Sequence, residues 1–142
     1  MKPVLTSIEI AAPPERVWRI LTDFSAYPEW NPFVQSISGT VKPGEKLSVS
    51  IRPPGGRTMA FKPTVLVARN NQELRWRGRL ILPGLFDGEH FFQLSPAKDG
   101  TLLKHGENFS GLIVRMMGSS TFEQTGRGFA AMNEALKKRA EA

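Results

Sequence analysis

The strongest constraint on this chain is a run of six strand-like segments joined by turns too short to hold helices. The segments are 33–40, 46–52, 58–69, 73–82, 88–95 and 101–110, and the turn signals between them read KPGE, RPPGG, RNNQE, PGLFDG and PAKDG. Links of that length between alternating segments imply antiparallel hairpins in a meander, because parallel pairing needs longer crossovers. A seventh strand, 4–10, precedes them and stops at AAPP. Pro13 and Pro14 then open a short helix, carried by Val17, Trp18, Leu21 and Phe24 at helical spacing. Pro28 and Pro32 in SAYPEWNP prevent that helix from continuing, so a one-turn helix or tight loop is expected there.

The period changes after Met116. Phe122, Gly126, Phe129, Asn133 and Leu136 recur three or four apart, and Lys137, Lys138, Arg139 and Glu141 close a polar end, which predicts an amphipathic helix over 120–140. Gly126 and Gly128 each cost such a helix about 1 kcal/mol relative to alanine. Either something approaches the backbone closely at those positions or the helix tolerates them.

With 142 residues, 40% of them hydrophobic and 23% charged, the chain fits one domain, 1–142, with a real core. It has no cysteine, hence no disulfide framework and no thiol nucleophile, which suits a reducing compartment. The N-terminus MKPVLTSIEIAAPPERVW lacks a signal-peptide pattern. No stretch approaches the roughly 18 apolar residues of a membrane span. The expectation is a cytoplasmic protein with no stable membrane insertion. The net charge of +6 raises nucleic acid as a partner, but the basic residues are scattered apart from Arg69, Arg75, Arg77 and Arg79. In a strand, Arg75, Arg77 and Arg79 share one face, either a solvated outer surface or a docking face for an anionic partner. Nucleic-acid binding is not expected.

The segments IEIAAPPERVWRILTDFSAYPEWNPF, ELRWRGRL, GEHFFQL and HGENFSG, followed by the amphipathic helix, resemble the SRPBCC superfamily over essentially the whole chain. That superfamily includes START domains, the birch-pollen allergen fold and the polyketide cyclase/dehydrase group. The resemblance implies an α+β helix-grip fold: a curved seven-stranded antiparallel sheet wrapped around the long C-terminal helix, with two short helices after the first strand. It also implies a cavity between the concave sheet face and that helix.

Alternation says which side chains would face inward: Met59, Phe61, Val65 and Val67; Leu74, Trp76, Gly78 and Leu80; His90, Phe92 and Leu94; Leu103, His105, Glu107 and Phe109. Pro63 is expected to disturb the register of its segment. Phe129 and Met132 on the helix, with Trp30 and Phe33 near the entrance, complete the candidate wall. Trp30 either packs the short helices against the sheet or gates the pocket.

Both histidines and Glu107 fall on the inward face. His105 and Glu107 sit two residues apart, with Cα atoms roughly 6.5–7 Å from each other, and His90 lies on the preceding strand. A histidine beside a carboxylate can act as a general acid–base pair. It can equally be a buried carboxylate satisfied by its neighbours, or the polar patch that orients a ligand. Two histidines and a glutamate could in principle ligate a metal, but no helical HExxH spacing is present and no metal or other cofactor is expected. Phosphate loops, GxSxG elbows and dinucleotide fingerprints are absent.

Three functions remain. The first is binding of a small hydrophobic molecule (lipid, quinone or polyketide-like) by Trp30, Phe33, Phe61, Trp76, His90, Phe92, Leu94, Leu103, His105, Glu107, Phe109, Phe129 and Met132. The second is a cyclase or dehydratase using His105 and Glu107 with help from His90. The third is a protein-interaction module working through the Arg75, Arg77, Arg79 face. A monomer or weak homodimer is expected in each case.

Overall fold

The computed structural model describes residues 2–80, 82 and 84–142, without the side chain of Leu80; the expectation that Leu80 faces inward therefore lies outside it. The elements follow the order read from the sequence: β1 (Lys2–Ile10), α1 (Pro14–Thr22), a 3-10 turn (Phe24–Ala26), α2 (Tyr27–Trp30), β2 (Val34–Ser38), β3 (Ser48–Ile51), β4 (Met59–Phe61), β5 (Thr64–Arg69), β6 (Glu73–Leu80), β7 (Phe86–Ala97), β8 (Gly100–Ser110) and α3 (Ser119–Glu141). All strand pairs are antiparallel. This is the α+β helix-grip arrangement, with one correction. Among the described residues, eight strands form two sheets, β1-β8-β7-β6-β5 and β2-β3-β4, instead of seven strands in one.

The extra strand comes from Pro63. Proline cannot donate to a ladder, and the 58–69 segment breaks at Lys62 and Pro63 into β4 and β5. The two sheets remain tied through residues 44–47, where Gly44 donates to the Val65 carbonyl, Val65 to the Glu45 carbonyl and Leu47 to the Pro63 carbonyl. A bulge between Val65 and Val67 then shifts the register: Val65 pairs with Trp76, Val67 with Arg75 and Ala68 with Leu74. Directly paired residues share a face, so Val67 turns outward with Arg75, and Ala68 takes the inward place expected for Val67.

The core lies under the C-terminal half of α3. Phe129, Met132 and Leu136 are buried against Leu74, Phe92, Leu94 and Leu103 from the sheet and Val17 and Leu21 from α1. Asn31 shapes the turn after α2, its Oδ1 accepting from the backbone N–H groups of Phe33 and Val34 at 2.9 Å each. The two helix glycines prove unlike each other. A Cβ on Gly128 would lie 2.5 Å from Cδ1 of the buried Phe33 ring, whereas one on Gly126 would meet Val4 Cγ1 at an ordinary 3.5 Å. Overpacking typically costs 1–3 kcal/mol, more than the roughly 1 kcal/mol that alanine adds to helix propensity. Gly128 is therefore required by close approach, and Gly126 is merely tolerated.

Candidate functional site: an apolar cavity with a carboxyl in its wall

A cavity of about 250 Å³ opens between the sheets and the N-terminal half of α3. Its cause is local. Gly78 of β6 and Gly88 of β7 are direct partners across the ladder; the Glu107 carboxyl takes the room over Gly88, and the missing side chain of Gly78 leaves space in front of the Phe61 ring. Trp76, Phe86 and Phe109 wall the hole on the large sheet, Phe33, Ile51 and Phe61 oppose them, and Phe122 of α3 covers it. Met59 and Thr121 also line it while remaining exposed, and they mark its mouth. A cavity of 150 Å³ takes one benzene; this one has room for a two-ring molecule.

Of the expected wall, Phe33, Phe61, Trp76, His90, Glu107 and Phe109 line the cavity. Phe92, Leu94, Leu103, His105, Phe129 and Met132 do not: they fill the sheet–helix core beside it. Trp30 packs edge-on against Tyr27, ring centres 5.1 Å apart, and takes no part in the wall. The concave face is thus divided, with bulky residues closing one half and the other left open beside Gly78 and the Glu107 carboxyl that covers Gly88. Among the lining residues that inward alternation did not supply, Gly88 had a legible signal, since glycine inside a strand marks a close approach or a gap.

A hydrogen-bonded chain runs from the cavity wall into the core. Glu107 Oε1 lies 2.9 Å from His90 Nδ1, His90 Nε2 lies 2.8 Å from His105 Nε2, and His105 Nδ1 lies 2.8 Å from Asn133 Oδ1. Asn133 Nδ2 then donates to Thr6 Oγ1 at 2.8 Å, and the Thr6 hydroxyl donates to the His105 carbonyl at 2.7 Å. The partner of Glu107 is thus His90, directly opposite it in the ladder, and not His105 two residues away. Asn133 and Thr6, which no sequence motif marks, complete the chain.

The imidazoles sit among aromatic rings. His90 stacks on Trp76 at 5.0 Å, and His105 lies between Phe92 and Phe129 at 4.3 and 4.4 Å. Burial in such surroundings disfavours charge. It pushes His90 down to about 3, holds His105 well below the usual imidazole range with the neighbouring His90 adding to the effect, and pushes the Glu107 carboxyl up to about 8. At neutral pH all three groups are uncharged. All four ring nitrogens are engaged within the chain, leaving none for a metal ion, and no metal-holding cluster of His, Asp and Glu occurs among the described residues.

The outer face of the sheet is partly self-satisfied. Arg75 bonds Glu73 at 2.8 Å and Glu89 at 2.9 Å and lies over the Phe91 ring at 4.7 Å. Among the described residues, no helix is long and apolar enough to cross a membrane.

Comparison with solved structures places the fold in known company. A START superfamily protein from Mycobacterium smegmatis superposes with a TM-score of 0.76 at 23% identity, covering 98% of this chain and 97% of that one. Ara h 8.0201 gives 0.74 at 14% identity, covering 98% and 97%. The di-domain ARO/CYC BexL, from the BE-7585A biosynthetic pathway, gives 0.72 at 17%, covering 99% of this chain and 50% of that one. At these identities the likeness concerns the fold alone. No curated protein matches the chain. A family model described as polyketide cyclase / dehydrase and lipid transport matches residues 1–141, and the chain belongs to that family.

Proposed function

We propose that the protein binds a small, largely apolar molecule in the cavity between its sheets and α3. The observation that carries this reading is the cavity itself: about 250 Å³ of space walled by aromatic and aliphatic side chains, with the half-buried Glu107 carboxyl among them. Pockets of this make-up, mostly apolar with a few placed polar groups, are those that hold small organic ligands. The limited volume favours a compact ring system over a two-tailed lipid.

Native mass spectrometry of the protein purified from its own host tests the reading when set beside a Gly78→Leu variant. A Cβ at Gly78 meets only the Phe61 ring, at 3.5 Å, so the leucine side chain would extend into the cavity. Wild-type protein should carry a small apolar molecule that Gly78→Leu lacks. Equal occupancy of the two would contradict the reading.

A second reading, an acid–base enzyme of the cyclase or dehydratase type, draws support from the Glu107–His90 contact. That pair can give up or take one proton at the cavity wall. It assigns the chemistry to Glu107 and His90, and leaves His105 as a positioning residue behind them.

A further inference from the structure

The direction of every hydrogen bond in the buried chain follows from its inner end. A backbone carbonyl can only accept, so the single Thr6 hydroxyl proton must point to the His105 carbonyl. Thr6 Oγ1 then accepts from Asn133 Nδ2, which turns Asn133 Oδ1 toward His105 as an acceptor. Neutral His105 consequently carries its proton on Nδ1 and presents a bare Nε2 to His90. His90 carries its proton on Nε2 and presents a bare Nδ1 to Glu107. The proton shared by Glu107 and His90 therefore lies on the line between Oε1 and Nδ1, whichever of the two groups holds it. Among the described residues no donor reaches the other carboxyl oxygen, Oε2. That oxygen sits over Gly88, where an added Cβ would collide with it.

We propose that Oε2 of Glu107 is a fixed hydrogen-bond acceptor in the cavity wall, and that the ligand is an apolar ring molecule bearing a hydroxyl that donates to it. This rests on the ligand-binding reading above and narrows it to a substrate class. A ligand offering only a carbonyl or ether oxygen would set lone pair against lone pair. An ammonium would have to leave water for a wall of aromatic and aliphatic groups facing a neutral acid, and an ion loses several kcal/mol on desolvation unless a good counter-charge meets it. An uncharged hydroxyl satisfies Oε2 without either penalty.

Calorimetric titration with naphthalene, 2-naphthol and 2-methoxynaphthalene tests the assignment in wild-type protein, Glu107→Gln and Glu107→Leu. The wild type should bind 2-naphthol about tenfold more tightly than the other two, the effect of one well-made hydrogen bond in an apolar site. Glu107→Gln should keep that preference, because its amide N–H can donate to His90 Nδ1 while its carbonyl replaces Oε2. Glu107→Leu should bind all three alike. If naphthalene binds but 2-naphthol gains nothing, or if the ether is preferred, the acceptor assignment is overturned while the cavity reading stands. If the wild type binds none of the three, the ligand-binding reading itself falls, and this inference with it.

Discussion

Replacing His105 by alanine is expected to cost at least about 4 kcal/mol of folding stability, a large share of the 5–15 kcal/mol typical of a domain. The side chain is 0% exposed and stacked on both faces by Phe92 and Phe129. Removing a buried ring leaves a cavity worth 3–5 kcal/mol in comparable cores. The change also strands the His90 Nε2–H and the Asn133 Oδ1, and each buried group left unpaired costs about 1–3 kcal/mol. Partial collapse and imperfect additivity make the lower part of the summed range the sensible expectation. His105→Phe separates the terms: it keeps the stack and loses only the hydrogen bonds, so its cost should be about 2 kcal/mol. Urea denaturation checks both variants through the midpoint at unchanged m-value. A loss below 1 kcal/mol for His105→Ala would show that the chain does not hold the core together.

Stability should peak near pH 6.5 and fall on both sides, a pattern set by the same chain. In the folded state His90 stays neutral down to about pH 3, burial and the neighbouring His90 hold His105 well below the usual imidazole range, and Glu107 keeps its proton up to about pH 8. Between the usual carboxylate value of 4.5 and the usual imidazole value of 6.5, the unfolded chain holds two protons on these histidines and none on Glu107. The folded chain holds one, on Glu107, so the unfolded state binds more protons and stability rises with pH. Above 6.5 the unfolded chain holds none and the folded chain still holds one, so stability falls until Glu107 ionises near 8. One proton corresponds to about 1.4 kcal/mol per pH unit; because the unfolded histidines are still half protonated at 6.5 and Glu107 is half ionised at 8, the net loss between pH 6.5 and 8 is about 1 kcal/mol. Glu107→Gln removes the proton-holding group. It should abolish the descending arm and steepen the rise below 6.5. Denaturation midpoints at half-unit pH intervals check this, and a wild-type stability that stays flat from 6.5 to 8 would mean the carboxyl is already ionised in the folded protein.

The alternation of β6, β7 and β8 showed that Trp76, His90, Glu107 and Phe109 face inward, and the period change after Met116 showed the long helix. Which histidine meets Glu107 depends on ladder register. A signal for it existed in PAKDG: Ala97 pairs with Gly100 across a two-residue turn, and counting back residue by residue places His90 opposite Glu107 and Phe92 opposite His105. Two things were not legible. Alternation gives a face but not a depth along it, so Phe92, Leu103 and Phe129 could not be told from cavity-lining residues until the position of α3 was known. The parts played by Asn133 and Thr6 also needed three dimensions, because α3 and β1 come together over 127 residues of separation. The second sheet arose where Pro63 broke a segment that alternation alone would have kept whole.

The central claim is that the space beside Gly78 and Gly88 is a binding site, and methionine methyl NMR tests it most directly. Met59 and Met117 line the cavity, whereas Met132 is buried in the core and Met116 is 85% exposed. Titration with naphthalene should shift the Met59 and Met117 methyl signals together and saturably, leave Met116 in place, and do neither in Gly78→Leu. Shifts confined to Met116, or the same response from Gly78→Leu as from the wild type, would contradict the account.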